Sequence, residues 1–263
     1  MLLVYYGISP WIGMLVGAVV AVAIGWIIAK LTLRYALKGD YLALFSVALS
    51  QIMGMIMINV PYLGGSYGFN LPLGQDSLAM MTWTSKVPYL YISLGMLLMF
   101  ALVTRYFQGR KLGKYWMAIR ENENAAETLG VDTAHYKTVA MLVTAGFGAM
   151  GGTIYAQYTT FIEPHLIFGL TQNFEMIIPV LVGGKGTILG PILGAMILKP
   201  MSEIVRMFFG ASLPGLYMLI YGIVLIGVII YLPAGVVGAL KKNHFKRMGR
   251  DVGSIEAKGG ESE

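Results

Sequence analysis

Residues 10–29 read PWIGMLVGAVVAVAIGWIIA, an uncharged and almost wholly apolar run of twenty residues. A helix rises about 1.5 Å per residue, so twenty residues cover the roughly 30 Å hydrocarbon core of a bilayer. Inside lipid the backbone has no water to bond, and a helix satisfies its own N–H and C=O groups within one segment. The run therefore predicts a membrane-spanning helix near the start of the chain.

Five further stretches meet the same criterion. They lie at 41–60, 87–104, 138–158, 188–204 and 213–232. Phe174–Val182 is apolar but too short to cross alone, and Gly183-Gly184 follows it, so we expect a half-helix or re-entrant element there. The predicted fold is all-α and polytopic, with about six transmembrane helices in a domain over 1–240. A disordered tail, first basic and then polar, is predicted over 241–263.

The composition of the whole chain agrees with this prediction. Of its 263 residues, 57% are hydrophobic and 12% are charged, which is about half the charged fraction of a typical soluble domain. These values exclude a soluble enzyme, a disordered chain and a disulfide-stapled secreted domain. The chain has no cysteine, which excludes disulfides, thiolate metal sites and thiol nucleophiles.

The basic residues predict the orientation in the membrane, because short cytoplasmic loops are enriched in Lys and Arg. The segment 105–137 is rich in both and is placed in the cytoplasm. Of the 19 Lys and Arg residues, only Lys86, Lys199 and Arg206 then fall outside. We expect a multi-pass protein of the cell membrane with a cytoplasmic carboxyl terminus. The net charge of +6 is assigned to this arrangement and not to nucleic-acid binding.

Two polar residues within the apolar stretches are candidate pathway residues. Gln51 lies near the middle of 41–60, and Glu175 lies at the start of the short element. Polar groups are costly inside a bilayer, so each is expected to bind a substrate or to satisfy another polar group. The structural alternative for Glu175 is a bond to the free amides at a helix start.

Five glycines near the short element are expected to break helices and to allow close packing. Glycine removes the side chain that holds two helix backbones apart, and a spacing of four residues repeats this on one helix face. This role is assigned to Gly183, Gly184, Gly186, Gly190 and Gly194. Gly148 and Gly152 form a second pair with the same spacing.

No catalytic, metal or cofactor site is expected. The three histidines, His135, His165 and His244, lie in separate loops or in the tail, without the spacing of metal ligands. Residues 183–187 (GGKGT) match part of a phosphate-binding loop but lack its first glycine and its aligned hydroxyl, so nucleotide binding is not expected in this chain.

Two strings carry a family resemblance: AIRENENAAETLG at 118–130 and VGGKGTILGP at 182–191. Weaker support comes from LKGDYLAL at 37–44 and from the glycines and Phe69 that follow Leu63. In their order and spacing, these strings resemble the LivM-like permeases of ATP-binding-cassette (ABC) importers for branched-chain amino acids. The urea permeases of the same superfamily look similar.

The resemblance covers residues 10–239 and implies a transport subunit, not an enzyme, that forms part of the translocation pathway for branched-chain amino acids. The implied partners are a second homologous permease subunit, two cytoplasmic ATPase subunits, an extracytoplasmic substrate-binding protein and the lipid bilayer. There are two departures: the family usually has further amino-terminal spans, and Leu63 stands where Thr is usual. We therefore expect that this chain alone does not transport.

The resemblance also assigns the cytoplasmic loop 105–137 to energy coupling. We expect a short helix within Met117–Gly130 that docks into an ATPase subunit. Three apolar residues share one face of this predicted helix, and Gly130 supplies a left-handed stop at its end. The expected coupling residues are Ala118, Arg120, Glu121, Asn122, Ala125, Ala126, Leu129 and Gly130.

Other functions remain open from the sequence. A urea or other small-amide ABC permease shares the resemblance. A stand-alone channel or secondary transporter would show two internal halves with unwound or charged elements, and we find no such repeat. An integral membrane enzyme would need convergent acid, base or metal ligands, and we find none.

Overall fold

A computed structural model describes residues 2–35, 40–71, 76–184 and 186–209, with single positions at 222, 223, 227, 235, 237 and 238. Most of the described chain is α-helical. The helices are α1 (Leu2–Tyr6), α2 (Pro10–Arg34), α3 (Asp40–Asn59), α4 (Val87–Gly109), α5 (Lys111–Glu121), α6 (Glu123–Thr128), α7 (Thr133–Thr159), α8 (Pro164–Ile167), α9 (Leu170–Gly183) and α10 (Leu189–Phe209).

Five helical stretches in the described residues are long and apolar enough to cross a membrane. They are Pro10–Arg34, Tyr41–Asn59, Val87–Gly109, Thr133–Thr159 and Pro164–Gly183. A polytopic α-helical membrane protein is thereby confirmed. The strands do not change this fold class, because β1 (Phe69–Asn70) and β2 (Phe161–Ile162) contain two residues each and form one short antiparallel ladder.

The later part of the chain differs from the predicted spans. The short element is longer than expected: α9 begins at Leu170, and with α8 it makes the twenty-residue stretch that is long enough to cross. The span predicted at 188–204 is the helix α10, but its second half carries Lys199, Glu203 and Arg206, and it is not among the five strongly apolar stretches. The predicted span 213–232 lies almost wholly, and the tail 241–263 entirely, outside the described residues.

The first compact unit, Met1–Gln172, is organised by the packing of α2 along α7. Small residues permit the close approach: a Cβ placed on Gly25 would lie 3.1 Å from the Ala145 Cβ, and one on Gly146 would lie 3.4 Å from the Val22 side chain. The predicted pair Gly148 and Gly152 makes no such contact within the described chain, since a Cβ at either position would enter open space. Packing partners, and not spacing alone, determine which glycines lie at the interface.

The second compact unit, Asn173–Glu263, contains the greater part of α9 and all of α10. These helices form a hairpin with a small apolar core. Val182 and Leu198 are its buried members, and Ile178 and Met201 pack against them.

Candidate functional site

The predicted coupling region contains two helices, α5 and α6. Asn122 separates them because its backbone is extended (φ −157°, ψ 108°), and its side-chain oxygen accepts a hydrogen bond from the Ala125 N–H (3.0 Å). This is the usual way in which Asn starts a helix. The expected short helix is thus present as α6, and Asn122 is its N-terminal cap.

Gly130 ends α6 in the way the sequence predicts. Its φ is +83°, a left-handed conformation that costs glycine little. The Gly130 N–H donates to the Glu127 carbonyl (2.9 Å), and the Val131 N–H donates to the Ala126 carbonyl (3.0 Å). This bond pair is the Schellman arrangement that satisfies the free carbonyls at a helix end.

The start of α5 packs tightly against the end of α4. A Cβ on Gly113 would overlap the Phe107 carbonyl oxygen and the Gln108 backbone, so only glycine fits there. The Trp116 ring then meets the Phe107 ring edge-to-face at 5.9 Å. The α5 helix is therefore fixed to the preceding transmembrane helix.

The α5–α6 pair is also tied to the first turns of α7. The Lys137 ammonium lies 2.6 Å from a Glu123 carboxylate oxygen, and the Trp116 indole N–H donates to the Tyr136 carbonyl (2.8 Å). The Thr133 hydroxyl donates to the Glu127 carboxylate. The α5–α6 pair is therefore in contact with both α4 and α7.

Burial divides the three apolar residues that are expected to share one face of the docking helix, Ala125, Ala126 and Leu129. Ala126 is 2% exposed and packs inside this chain, whereas Leu129 is 83% exposed and Ala125 is also exposed. Ala126 is therefore closed to a partner. The other expected coupling residues are all exposed, namely Ala118, Arg120, Glu121, Asn122 and Gly130.

The pathway candidate Gln51 has a partner within the first unit. Its amide N–H donates to the carbonyl of Phe168 (2.8 Å). Phe168 is the C-terminal cap residue of α8. One turn further along α3, a Cβ on Gly54 would lie 2.8 Å from the Phe168 Cβ, so the two segments touch at this point. Gln51 thus holds the corner after α8 against α3.

The second pathway candidate, Glu175, forms an ion pair within the second unit. The Lys199 ammonium on α10 lies 2.5 Å from its carboxylate on α9. Neither side chain is deeply buried. Gln51 and Glu175 belong to different compact units, and each has a structural partner of its own.

The predicted helix-breaking and packing glycines lie in the turn between α9 and α10 and in the parts of the two helices beside it. A Cβ on Gly183 would overlap the Gly190 carbonyl, one on Gly190 would overlap the Gly184 carbonyl, and one on Gly194 would overlap the Pro179 carbonyl. Gly184 and Gly186 have φ values of +123° and +79°. Gly186 precedes α10, so only Gly190 and Gly194 of the expected ladder lie on that helix.

One further polar residue, Gln157, was not predicted. It lies near the end of α7, is 5% exposed, and lines a groove between α2 and α7. The scarcity of polar residues that singled out Gln51 applies equally to Gln157 within 138–158, so the signal was present in the sequence. Within the described ranges, no group of three or more His, Asp or Glu side chains comes together as metal ligands would.

Comparison with known proteins gives one family. A sequence profile described as "Branched-chain amino acid transport system / permease component" matches residues 1–229. The high-affinity branched-chain amino acid transport system permease protein LivM of Escherichia coli (strain K12) is 27% identical over 254 residues, which cover 88% of this chain and 58% of that protein. LivM of Salmonella typhimurium gives the same values.

A more distant relative is the nucleoside ABC transporter permease protein NupC of Lactococcus lactis, 25% identical over 162 residues, or 57% of this chain and 49% of that protein. No solved structure matches this chain. The chain spans less than two thirds of the length of the two LivM proteins. The profile nevertheless covers most of its residues, so the chain belongs to the family of permease components of branched-chain amino acid transport systems.

Proposed function

We propose that this chain is a membrane-spanning permease subunit of an ABC importer and forms part of the translocation pathway for branched-chain amino acids. The profile match over residues 1–229 carries this proposal. Two LivM relatives named for branched-chain amino acid transport and five helical stretches of membrane-crossing length support it.

The proposed assembly contains a second homologous permease subunit, two cytoplasmic ATPase subunits and an extracytoplasmic binding protein. ATP hydrolysis belongs to the ATPase subunits, and this chain is not an enzyme. It lies in the cell membrane with 105–137 and the carboxyl terminus in the cytoplasm, an orientation supported by the basic residues of that segment.

The proposed route for energy coupling runs through α5 and α6. Their exposed residues, above all Leu129 and Met117, are available to an ATPase surface. The ion pair to Lys137 and the packing of Gly113 connect the same two helices to α7 and α4. Closure of the ATPase pair would move α5–α6 as a braced unit, and two transmembrane helices would follow.

Uptake by cells that lack this gene tests the proposed function. Cells expressing the complete importer should accumulate labelled leucine, isoleucine and valine, and cells without this chain should not. Labelled urea and a labelled nucleoside are the competing substrates. Preferred uptake of either would replace the proposed substrate class, and uptake that persists without the ATPase subunits would indicate a stand-alone transporter.

A further inference from the structure

A groove of about 580 Å³ runs between α2 and α7 in the first compact unit. Its volume falls within the usual range of small-molecule sites. The α2 wall includes Gly13, Val16, Gly17 and Val20, and none of the described lining residues is charged. The groove therefore offers an apolar surface against which an aliphatic group can pack.

The α7 wall of this groove contains Gln157, a residue that is 5% exposed. No hydrogen bond joins its side-chain amide to another described residue, although every fully buried side-chain nitrogen and oxygen in that part of the chain has a partner. The Gln157 amide must therefore reach the open space of the groove. Thr153, one turn away, is already satisfied, since its hydroxyl donates to the Ala149 carbonyl (3.1 Å).

Two other amides within the apolar helices are engaged. Gln51 donates to the Phe168 carbonyl, and Asn59 donates to the Met55 carbonyl (2.8 Å). An amide that faces a groove without a hydrogen bond to a described residue is open to a hydrogen bond from a ligand. Among these three amides, only that of Gln157 is left for a ligand.

We infer that the α2–α7 groove is a binding site for the transported amino acid and that Gln157 holds its polar end. This inference rests on the proposed function. A glutamine amide has a donor N–H₂ and an acceptor oxygen, so it can bond both the carboxylate and the ammonium group of an amino acid. The aliphatic side chain then lies along Val16 and Val20, whose surfaces are apolar.

The glycines of α2 offer a competing explanation for the groove. Gly13 and Gly17 are four residues apart, and a Cβ on either would meet nothing within 4 Å. Small residues at this spacing also suit the packing of a helix from another subunit. Packing of apolar helix residues would not supply a hydrogen bond to the Gln157 amide, whereas an amino acid would.

The first experiment measures uptake by the complete importer with Gln157→Leu, Gln157→Asn or the wild-type residue. Loss of hydrogen bonds to charged groups corresponds to roughly a tenfold or larger effect. We expect Gln157→Leu to lower the maximum uptake rate by about that factor. The half-saturating concentration should not change, because the binding protein captures the substrate. Thr144→Val is the matched control on α7, since the Thr144 hydroxyl bonds only its own helix backbone.

The second experiment fills the groove with Gly17→Leu. A Cβ at Gly17 would meet nothing within 4 Å, and leucine favours a helix more than glycine does. Normal protein level, normal assembly with the second permease and reduced uptake of leucine are the expected results. Loss of the second permease from the purified complex would instead make the groove a subunit interface and overturn the inference.

A third experiment detects occupancy if Gln157→Leu does not accumulate. The chain has no cysteine, so Ala156→Cys in the groove and Ser93→Cys on α4 can each be labelled alone. Leucine delivered by the binding protein should slow labelling at 156 and not at 93. Equal labelling with and without leucine would overturn the inference.

These experiments distinguish failure of the proposed substrate site from failure of the proposed function. If the wild-type importer transports leucine and both Gln157→Leu and Gly17→Leu match its rate, the groove is not part of the pathway. The proposed function is then unaffected. A wild-type importer that transports no branched-chain amino acid overturns both.

Discussion

Gly113 is the residue at which the cytoplasmic helix α5 touches the transmembrane helix α4. Because a Cβ there would overlap the Phe107 carbonyl, Gly113→Ala must push the two helices apart. Overpacking of this kind costs about 1–3 kcal/mol of folding free energy. We expect a lower midpoint of thermal unfolding in detergent.

Gly95→Ala is the matched control for this substitution. Gly95 lies inside α4, and a Cβ there would enter open space. Alanine favours a helix interior by up to about 1 kcal/mol relative to glycine, so the midpoint should stay the same or rise. Equal losses at both positions would show that Gly113 is not a close contact.

Substitutions at Leu129 and Ala126 distinguish an effect on ATPase docking from an effect on folding. Leu129→Asp changes a side chain that is 83% exposed, so the free energy of folding should change by no more than about 0.5 kcal/mol. If Leu129 anchors an ATPase subunit, loss of about 2 kcal/mol of docking energy would weaken association roughly thirtyfold. Co-purification of the ATPase subunits and ATP-driven uptake measure this effect.

Ala126→Trp is expected to act differently. Ala126 is buried within this chain, so a large side chain there should disrupt α6 and reduce the amount of folded protein. A stable Leu129→Asp protein that still binds the ATPase subunits and couples normally would exclude Leu129 from the docking surface.

At the scale of elements, the hairpin of α9 and α10 combines close backbone contacts with the ion pair of Glu175 and Lys199. Glu175→Gln leaves the Lys199 ammonium without its carboxylate. Polar contacts between membrane helices contribute about 0.6–2 kcal/mol, and we expect a loss at the lower end of that range in detergent unfolding measurements, because Lys199 is half exposed. The double variant Glu175→Gln with Lys199→Met should recover much of it.

Transport by the same variants tests the pathway role proposed for Glu175. A carboxylate that acts only through Lys199 predicts that the double variant regains uptake together with stability. A carboxylate that contacts substrate predicts regained stability without uptake. Full uptake by Glu175→Gln at normal protein level would exclude both effects.

The sequence predicts the first four transmembrane helices to within five residues at each end. The helices extend beyond the apolar runs because charged residues can continue the backbone hydrogen bonding of a helix. Arg34 at the end of α2 and Lys137 near the start of α7 are examples. The break at Asn122 follows a local capping preference and is visible in the sequence.

Burial within the candidate sites could not be predicted in the same way. Ala126 and Leu129 are both apolar and three residues apart, yet one is buried and the other exposed, because contacts with other helices decide. Gln51 and Gln157 are the same residue type in similar apolar stretches. The packing of α8 against α3 provides a partner for Gln51, whereas no described residue forms a hydrogen bond with the Gln157 amide.

At the scale of the whole molecule, the proposed mechanism depends on which side of the membrane α5–α6 occupies. Met117 on α5 is 59% exposed, and Tyr67, before β1, is 93% exposed. The distribution of Lys and Arg predicts that the first lies in the cytoplasm and the second outside. The two positions therefore report on opposite faces.

Single cysteines at these two positions test the orientation. The native chain has no cysteine and is its own background control. An impermeant thiol reagent added to intact cells should label Tyr67→Cys, and Met117→Cys should react only after the membrane is opened. Met117 is preferable to Gly113 for this purpose, because any side chain at Gly113 would collide with the end of α4. Labelling of Met117→Cys from outside would place α5–α6 on the face opposite the ATPase subunits. ATP-driven motion could then not reach α4 and α7 through these helices.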